Sequence, residues 1–349
     1  MLEPHPTIDA IASIDRPTRS ARALGYRCPA EFEPVDCVWV VPPHNPETWP
    51  GCFDAAQAQH ADWVDRMQPH VEVRTPGSIG IETNDSWIRD FGPIFVIHDN
   101  EKLLACHDFR FNAWGSKYEA TRPLDDVVPQ HLADKLGLPI WVHDFVLEGG
   151  SIEVNGQGTV MTTQQCLFHA NRNPWATQAE IEKRLHDALG THHVIWLPGG
   201  IAGDDTDGHI DDVARFVSPQ CVAVVVAPQG HPDHDTTRRN LAALQNTNDQ
   251  DGEPLHIVGL PTPDPIVYDF PPLPSVETPG PAPVPASYAN FLIANDAVFV
   301  PAFGQNTDDI ACRVLEKVLP GRSVVPIRAE HLVVGLGALH CLSMQQPAV

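Results

Sequence analysis

SIEVNGQGTVMTT (151–163), followed by TQAEIEKRLHDALG (177–190) and HVIWL (193–197), decides the fold. The first segment alternates apolar and polar residues on both sides of Asn155-Gly156, a pair that accepts the positive φ angles of a tight hairpin turn. The second opens with Thr177 and Glu180 at capping-box spacing and closes on Gly190, so it predicts a helix with both ends marked. The third is a short β-branched and aromatic run, a strand. Hairpin, helix, strand is one supersecondary unit.

The same order recurs along the chain. Hairpin signals stand at 92–109 (GPIFVIHDNEKLLACHDF), 209–226 (HIDDVARFVSPQCVAVVV) and 290–303 (NFLIANDAVFVPAF). A fifth combines the two ends, CVWVVPP (37–43) with ALHCLSMQQ (338–346). Helices are expected at 52–68, 126–136, 236–244 and 308–319, and the strands after them at 71–73, 141–146, 255–260 and 323–327. The expectation is an α/β protein, five pseudo-symmetric units closing into a propeller as a single domain, residues 1–349. Residues 253–285 carry eleven prolines, which leaves few amide donors, so this stretch reads as an extended surface loop or lid edge within that domain.

Composition narrows the function. Lys plus Arg number 22 against 45 Asp plus Glu, a net charge of −23, which repels nucleic acid and anionic lipid and favours a small cation. The longest apolar run, 221–227, is too short to cross a bilayer, and residues 1–10 lack the features of a secretory signal, so a cytoplasmic protein is expected. Eight scattered cysteines without a C-x-x-C pair argue against a redox pair or zinc knuckle. No cofactor or metal is expected: the acids at 204–211 fail the EF-hand spacing, the histidines form no H-E-x-x-H, and the glycines at 199–208 lack the lysine of a phosphate loop. Homo-oligomerisation is left open.

The loops leading into the hairpins hold the chemistry. They contain Trp87 and Asp90 in NDSWIRDFGP (84–93), Glu148 before Gly149-Gly150, and His209 and Asp211 in GGIAGDDTDGHID (199–211). They also contain Asn290 after Ser287-Tyr288-Ala289, and Cys341 in GLGALHC (335–341). Singly, each has a plain structural reading: Asp90 and Glu148 as turn residues, His209 as a solvated histidine, Cys341 as a core thiol. Brought together at one end of a ring, they offer a thiol, an imidazole and three carboxylates, a set suited to holding and attacking a cation.

These segments resemble the agmatine deiminases, a bacterial-type peptidylarginine deiminase group within the guanidine-modifying (pentein) superfamily. The resemblance runs nearly end to end through WIRDFGPIFV (87–96), FRFNAWG (109–115), LEGGSIEVNGQGTVMTT (147–163), DTDGHIDDVARFV (205–217), PASYANF (285–291) and GLGALHCLSMQQP (335–347). It implies a five-fold α/β propeller, with Cys341 as nucleophile, His209 as general acid and base, Glu148 as its orienting carboxylate, and Asp90 and Asp211 as guanidinium clamps. Trp87 and Asn290 match pocket-lining positions. Departures at Phe91, where Thr is commoner, at Asp212, where Asn is usual, and in GLGALHC leave the identity of the amine open.

The implied reaction is hydrolysis of agmatine to N-carbamoylputrescine and ammonia through a thiouronium on cysteine, a step toward putrescine and polyamines. The rival within the same chemistry is deimination of free or peptidyl arginine, for which Arg89 and Arg110 are candidate partners of the extra carboxylate. Amidino transfer and ordinary amide hydrolysis are further rivals. A guanidine-binding protein without catalysis is the alternative outside enzymology, and it would need no cysteine.

Overall fold

A computed structural model of the chain describes residues 17–118, 122–272 and 279–349. The chain start and residues 273–278 of the proline-rich stretch, on which parts of the expectations fall, lie outside the described residues.

Five three-stranded sheets share one topology. In each, an antiparallel hairpin comes first, a helix follows, and a third strand returns parallel to the hairpin's second strand. One unit runs Ile94–His98, Leu103–Arg110, helix Val128–Leu136, Ile140–Val146. The next is Ile152–Val154, Thr159–Thr163, helix Gln178–Leu189, His193–Leu197. Then come Ala214–Ser218, Cys221–Val226, helix His234–Gln245, His256–Pro261, and Leu292–Ala294, Ala297–Ala302, helix Asn306–Val318, Ser323–Arg328. The last sheet joins the termini: Ser343–Pro347 pairs antiparallel with Val35–Val40, which continues through helix Phe53–Met67 to the parallel strand Glu72–Arg74.

Local chemistry explains the elements. Thr177 accepts from the Glu180 amide while the Glu180 side chain accepts from the Thr177 amide, and Gly190 ends the helix at φ 70°. Ile181, Leu185, Ala188 and Leu189 form its buried stripe at helical spacing. Hairpin strands such as Ile152–Val154, Thr159–Thr163 and Leu292–Ala294 are buried throughout, whereas the third strands are partly exposed. The hairpins therefore form the inside of the molecule.

Charges are stapled into that interior. Arg215 pairs with Glu31 at 2.8 Å and Glu153 at 2.9 Å and donates to the carbonyls of Ala289 and Phe291. Segments from four units thus meet at one guanidinium.

Two expectations are corrected. ALHCLSMQQ is not strand throughout, because the strand begins at Ser343 and residues 339–342 form the turn that carries Cys341. The proline-rich stretch is not merely loop: Val267–Phe270 pairs antiparallel with Gly280–Pro283. Pro281 and Pro283 are two residues apart, so their missing N–H groups fall on the same side of a strand that has a free edge.

Candidate active site

Each loop between one unit's third strand and the next hairpin tightens into a short turn that aims one or two side chains inward. Asp90 lies in the turn Ile88–Phe91. Glu148 precedes the turn Gly149–Ser151, and His209 precedes the turn Ile210–Asp212 that contains Asp211. Asn290 and Cys341 come from the remaining two loops, where the Asn290 carbonyl accepts from the His340 amide. All seven sequence candidates are buried, so the reading of His209 as a solvated histidine is excluded: it is 1% exposed.

The structure brings five of them around one small space. Cys341 Sγ is 3.6 Å from Asp211 Oδ2, and His209 Nδ1 is 3.6 Å from Asp90 Oδ1. A Cβ built on Gly150 would stand 2.6 Å from His209 Nδ1, 2.8 Å from Asp90 Oδ1 and 3.1 Å from Asp211 Oδ2. Only glycine leaves that convergence open. Glu148 Oε2, both His209 ring nitrogens and Asp211 Oδ1 are buried without a hydrogen-bond partner among the described residues. Orphaned carboxylate oxygens such as those of Glu148 and Asp211 are costly unless a donor-rich ligand satisfies them.

The remaining acceptors are already engaged, which fixes the orientation of each carboxylate. Asp90 Oδ2 accepts from Trp114 Nε1 at 2.8 Å and Oδ1 from the Gly150 amide at 3.0 Å. Trp114 reaches Asp90 from four successive residues at positive φ, 113–116, of which only one is glycine. Such a left-handed turn costs about 1–2 kcal/mol per non-glycine residue, so its retention points to function. Glu148 Oε1 accepts from Arg172 Nε at 2.9 Å; its reactive atoms and those of His209 lie within 4.8 Å, without a hydrogen bond between them. The pairing implied by resemblance is thus proximity, and the carboxylate facing Nδ1 is that of Asp90.

Asn290 binds the Cys341 segment from both ends of its amide. Its Oδ1 accepts from the His340 and Cys341 amides, and its Nδ2 donates to Cys341 Sγ at 3.0 Å and to Asp212 Oδ1 at 3.0 Å. Trp87 packs beside the same segment: a Cβ on Gly337 would meet the Trp87 ring at 2.6 Å and Cys341 Sγ at 3.2 Å.

Electrostatics separate the groups. Burial pushes the Cys341 thiol well above its ordinary range, and Asp211, Asp212 and Asp90 push it further, against the Asn290 hydrogen bond. Burial alone would discharge His209, but Asp90, Cys166 and Glu148 hold its proton affinity well above the usual histidine range. Burial raises Asp90 to about 6, although the His209 charge opposes this. Burial also works against ionising Asp211, yet the hydrogen bond and charge of His340 keep its carboxyl below the ordinary value. The site is therefore an acidic pocket with a protonated imidazole and a resting thiol.

Sequence reasoning missed several partners. Glu31, Trp114, Arg172, Arg215 and His340 position the candidate residues and were not singled out. Arg215 carried a signal, a lone charge in an otherwise apolar strand; Glu31 and Arg172 carried none. Arg89 had been a candidate for binding a substrate carboxylate, but it is buried against the His340 carbonyl, Gln345 and Glu31. Arg110, the other candidate, is exposed. All three acids at 204–207 serve as scaffold: Asp204 accepts from the Thr206 and His209 amides, Asp205 from Tyr118, and Asp207 from Lys117, Asn171 and Arg172.

Comparison with known proteins fits this geometry. A family model described as Porphyromonas-type peptidyl-arginine deiminase matches residues 27–347, and the chain belongs to that family. Within it, the chain is similar to agmatine deiminases. It is 34% identical to agmatine deiminase of Pseudomonas aeruginosa (strain LESB58), covering 96% of this chain and 99% of the relative. The agmatine deiminase of Enterococcus faecalis superposes with a TM-score of 0.89 at 30% identity, covering 96% and 99% of the two chains. That of C. jejuni, solved in a cysteine-to-serine form with substrate bound, gives a TM-score of 0.81 at 27% identity, covering 92% and 96%.

Proposed function

We propose that the protein is an agmatine deiminase, a C–N hydrolase that converts agmatine and water to N-carbamoylputrescine and ammonia, and so feeds putrescine and polyamine formation. The observation that carries the reading is the convergence of Asp90, Asp211 and His209 on the space kept open by Gly150, with the Cys341 sulfur 3.6 Å from Asp211. A guanidinium is planar, permanently charged and rich in paired N–H donors, so it matches inward-facing carboxylates.

In this mechanism Asp90 and Asp211 hold the guanidinium plane against the sulfur. The bound cation and protonated His209 favour the thiolate of Cys341, which forms a C–S bond at the central carbon. His209 gives its proton to the departing nitrogen, the C–N bond breaks, and ammonia leaves a thiouronium on Cys341. Water then adds to that carbon while His209 takes one of its protons; the C–S bond breaks, the sulfur keeps the electron pair, the remaining hydroxyl proton passes to solvent as the carbonyl forms, and the ureido product is released. Glu148, braced by Arg172, faces His209 and supports its charged form. Trp87 and Asn290 line the pocket.

The same reading closes the five units into a ring around this site, as one domain containing the proline-rich hairpin. Its only required partner is the small cationic substrate. None of the described helices is long and apolar enough to cross a membrane. The reading places the enzyme in the cytoplasm, where its eight free thiols stay reduced.

Ammonia release from agmatine, arginine and a C-terminal arginyl peptide tests it. Agmatine should be strongly preferred, because Arg89 is already committed to internal partners. Cys341→Ala and His209→Ala should be folded and inactive; parental ammonia release from either would overturn the mechanism, and preference for arginine would overturn the substrate.

A further inference from the structure

His340 lies between two carboxylates. Its Nδ1 is 2.7 Å from Asp211 Oδ2, and its Nε2 is 2.8 Å from Glu31 Oε2. A neutral imidazole has one N–H and one lone pair, so it can donate to only one of them and must turn a lone pair toward the other. Only the imidazolium donates to both. Glu31 is in turn fixed as an anion: its Oε1 accepts from the Ile293 amide at 2.8 Å and pairs with Arg215 at 2.8 Å, while Arg89 lies 3.4 Å from Oε2. All three side chains of the Glu31–His340–Asp211 line are almost fully buried.

We propose that His340 is a positioning residue that donates to both carboxylates: clamped by Glu31, it holds Asp211 through Oδ2, the oxygen nearest the Cys341 sulfur, and leaves Oδ1 without a protein partner among the described residues, free to accept from the substrate. It rests on the proposed deiminase reading for its purpose, though not for its geometry. Asp211 Oδ1 is buried and unpaired, as a clamp awaiting a guanidinium should be. The charge has a second effect. Asp211 Oδ2 is 3.6 Å from the Cys341 sulfur, and an imidazolium hydrogen-bonded to that same oxygen offsets a negative charge that would otherwise oppose the thiolate. Glu31, in a stretch with no motif of its own, thereby influences a sulfur 310 residues later in the chain.

The side-chain amide of Asn occupies the place of an imidazole Nδ1 and that of Gln the place of Nε2, so the two substitutions divide the relay. His340→Gln can still reach Glu31 but abandons Asp211; His340→Asn does the reverse. The readout is the rate of Cys341 labelling by chloroacetamidine, a planar cation, relative to chloroacetamide, its neutral counterpart. His340→Gln should lower that ratio by about ten- to a hundredfold, the size of a lost charge-assisted hydrogen bond, and His340→Asn should retain much of it. A His340→Gln ratio within about twofold of the parent would overturn the proposal.

Should His340→Gln fail to fold, ring-nitrogen NMR of the unmodified protein with labelled histidine decides instead. Both His340 nitrogens should carry protons, because each faces a carboxylate oxygen, and a single protonated nitrogen would overturn the proposal. A protein that is labelled selectively by the cation yet releases no ammonia from agmatine would lose the proposed function while keeping the relay, so the two failures are distinguishable.

Discussion

Asn290 donates a hydrogen bond to the Cys341 sulfur at 3.0 Å while its amide oxygen holds the backbone of the same turn. That hydrogen bond favours ionisation of the thiol, whereas burial and three aspartates oppose it. Asn290→Asp replaces that donor with a carboxylate and should slow ammonia release by about a hundredfold, more than Asn290→Ala, with the pH for half-maximal alkylation of Cys341 moved upward. Equal losses in the two variants would show that Asn290 acts only through the backbone.

In the unliganded enzyme the Cys341 thiol is held well above its ordinary range. Labelling by neutral chloroacetamide should therefore be slow at neutral pH and rise through and beyond the usual thiol range. A saturating inert guanidinium should shift the ionisation downward, because it places a positive charge beside the sulfur. Ionisation of the free enzyme near neutrality, read by the absorbance of the thiolate, would contradict this.

Gly150 is needed for space rather than for backbone freedom, since its φ is not in the left-handed region. Gly150→Ala puts a methyl group into the convergence of His209, Asp90 and Asp211. Activity should fall by about a hundredfold, because reacting groups displaced by an ångström lose their alignment. Circular dichroism should remain that of the parent; a folded, fully active Gly150→Ala protein would move the binding site elsewhere.

Trp114 spends backbone strain to reach Asp90. Trp114→Phe keeps the aromatic packing on Phe111 but loses the 2.8 Å hydrogen bond to Asp90 Oδ2. The freed carboxylate should bind guanidinium less well, so KM for agmatine should rise about tenfold with a smaller change in kcat. A selective fall in kcat would assign Trp114 to the chemical step.

These partners explain what could and could not be read from the chain. The hairpins and helices were legible because their signals are local: Asn155-Gly156 at a turn, Thr177 and Glu180 at a cap, Gly190 at a stop. Asp90, Glu148, His209, Asp211 and Cys341 were legible because each is a polar residue beside glycine or within a tight turn, in equivalent loops of a repeated unit. What holds them was not. Glu31 meets His340 across 309 positions, and Trp114 meets Asp90 only because a left-handed turn swings it there. Pairings made by tertiary packing leave no periodic trace. The proline-rich hairpin was missed for another reason: proline density argues against a sheet interior, whereas a two-stranded ribbon is all edge.

Arg215 offers the sharpest test of the interior. Replacing it with Met leaves Glu31 and Glu153 as buried carboxylates without their shared cation, which should cost on the order of 3–5 kcal/mol in urea unfolding at neutral pH. Adding Glu153→Gln should recover part of that loss, because one stranded charge is removed. Burial works to raise Glu31, but Arg215, His340 and Arg89 hold its carboxyl far below the ordinary range. A carboxylate with a depressed folded value stabilises the protein above its unfolded value and loses that contribution as pH falls toward the depressed one. Because the two unfolded chains titrate alike, the stability gap between parent and Arg215→Met follows the folded carboxylates, and it should narrow on acidification as the stranded Glu31 and Glu153 of the variant take up protons that Glu31 of the parent does not. A gap that stayed constant with pH would mean that Arg215 stabilises the fold through its hydrogen bonds to the Ala289 and Phe291 carbonyls rather than through its charge.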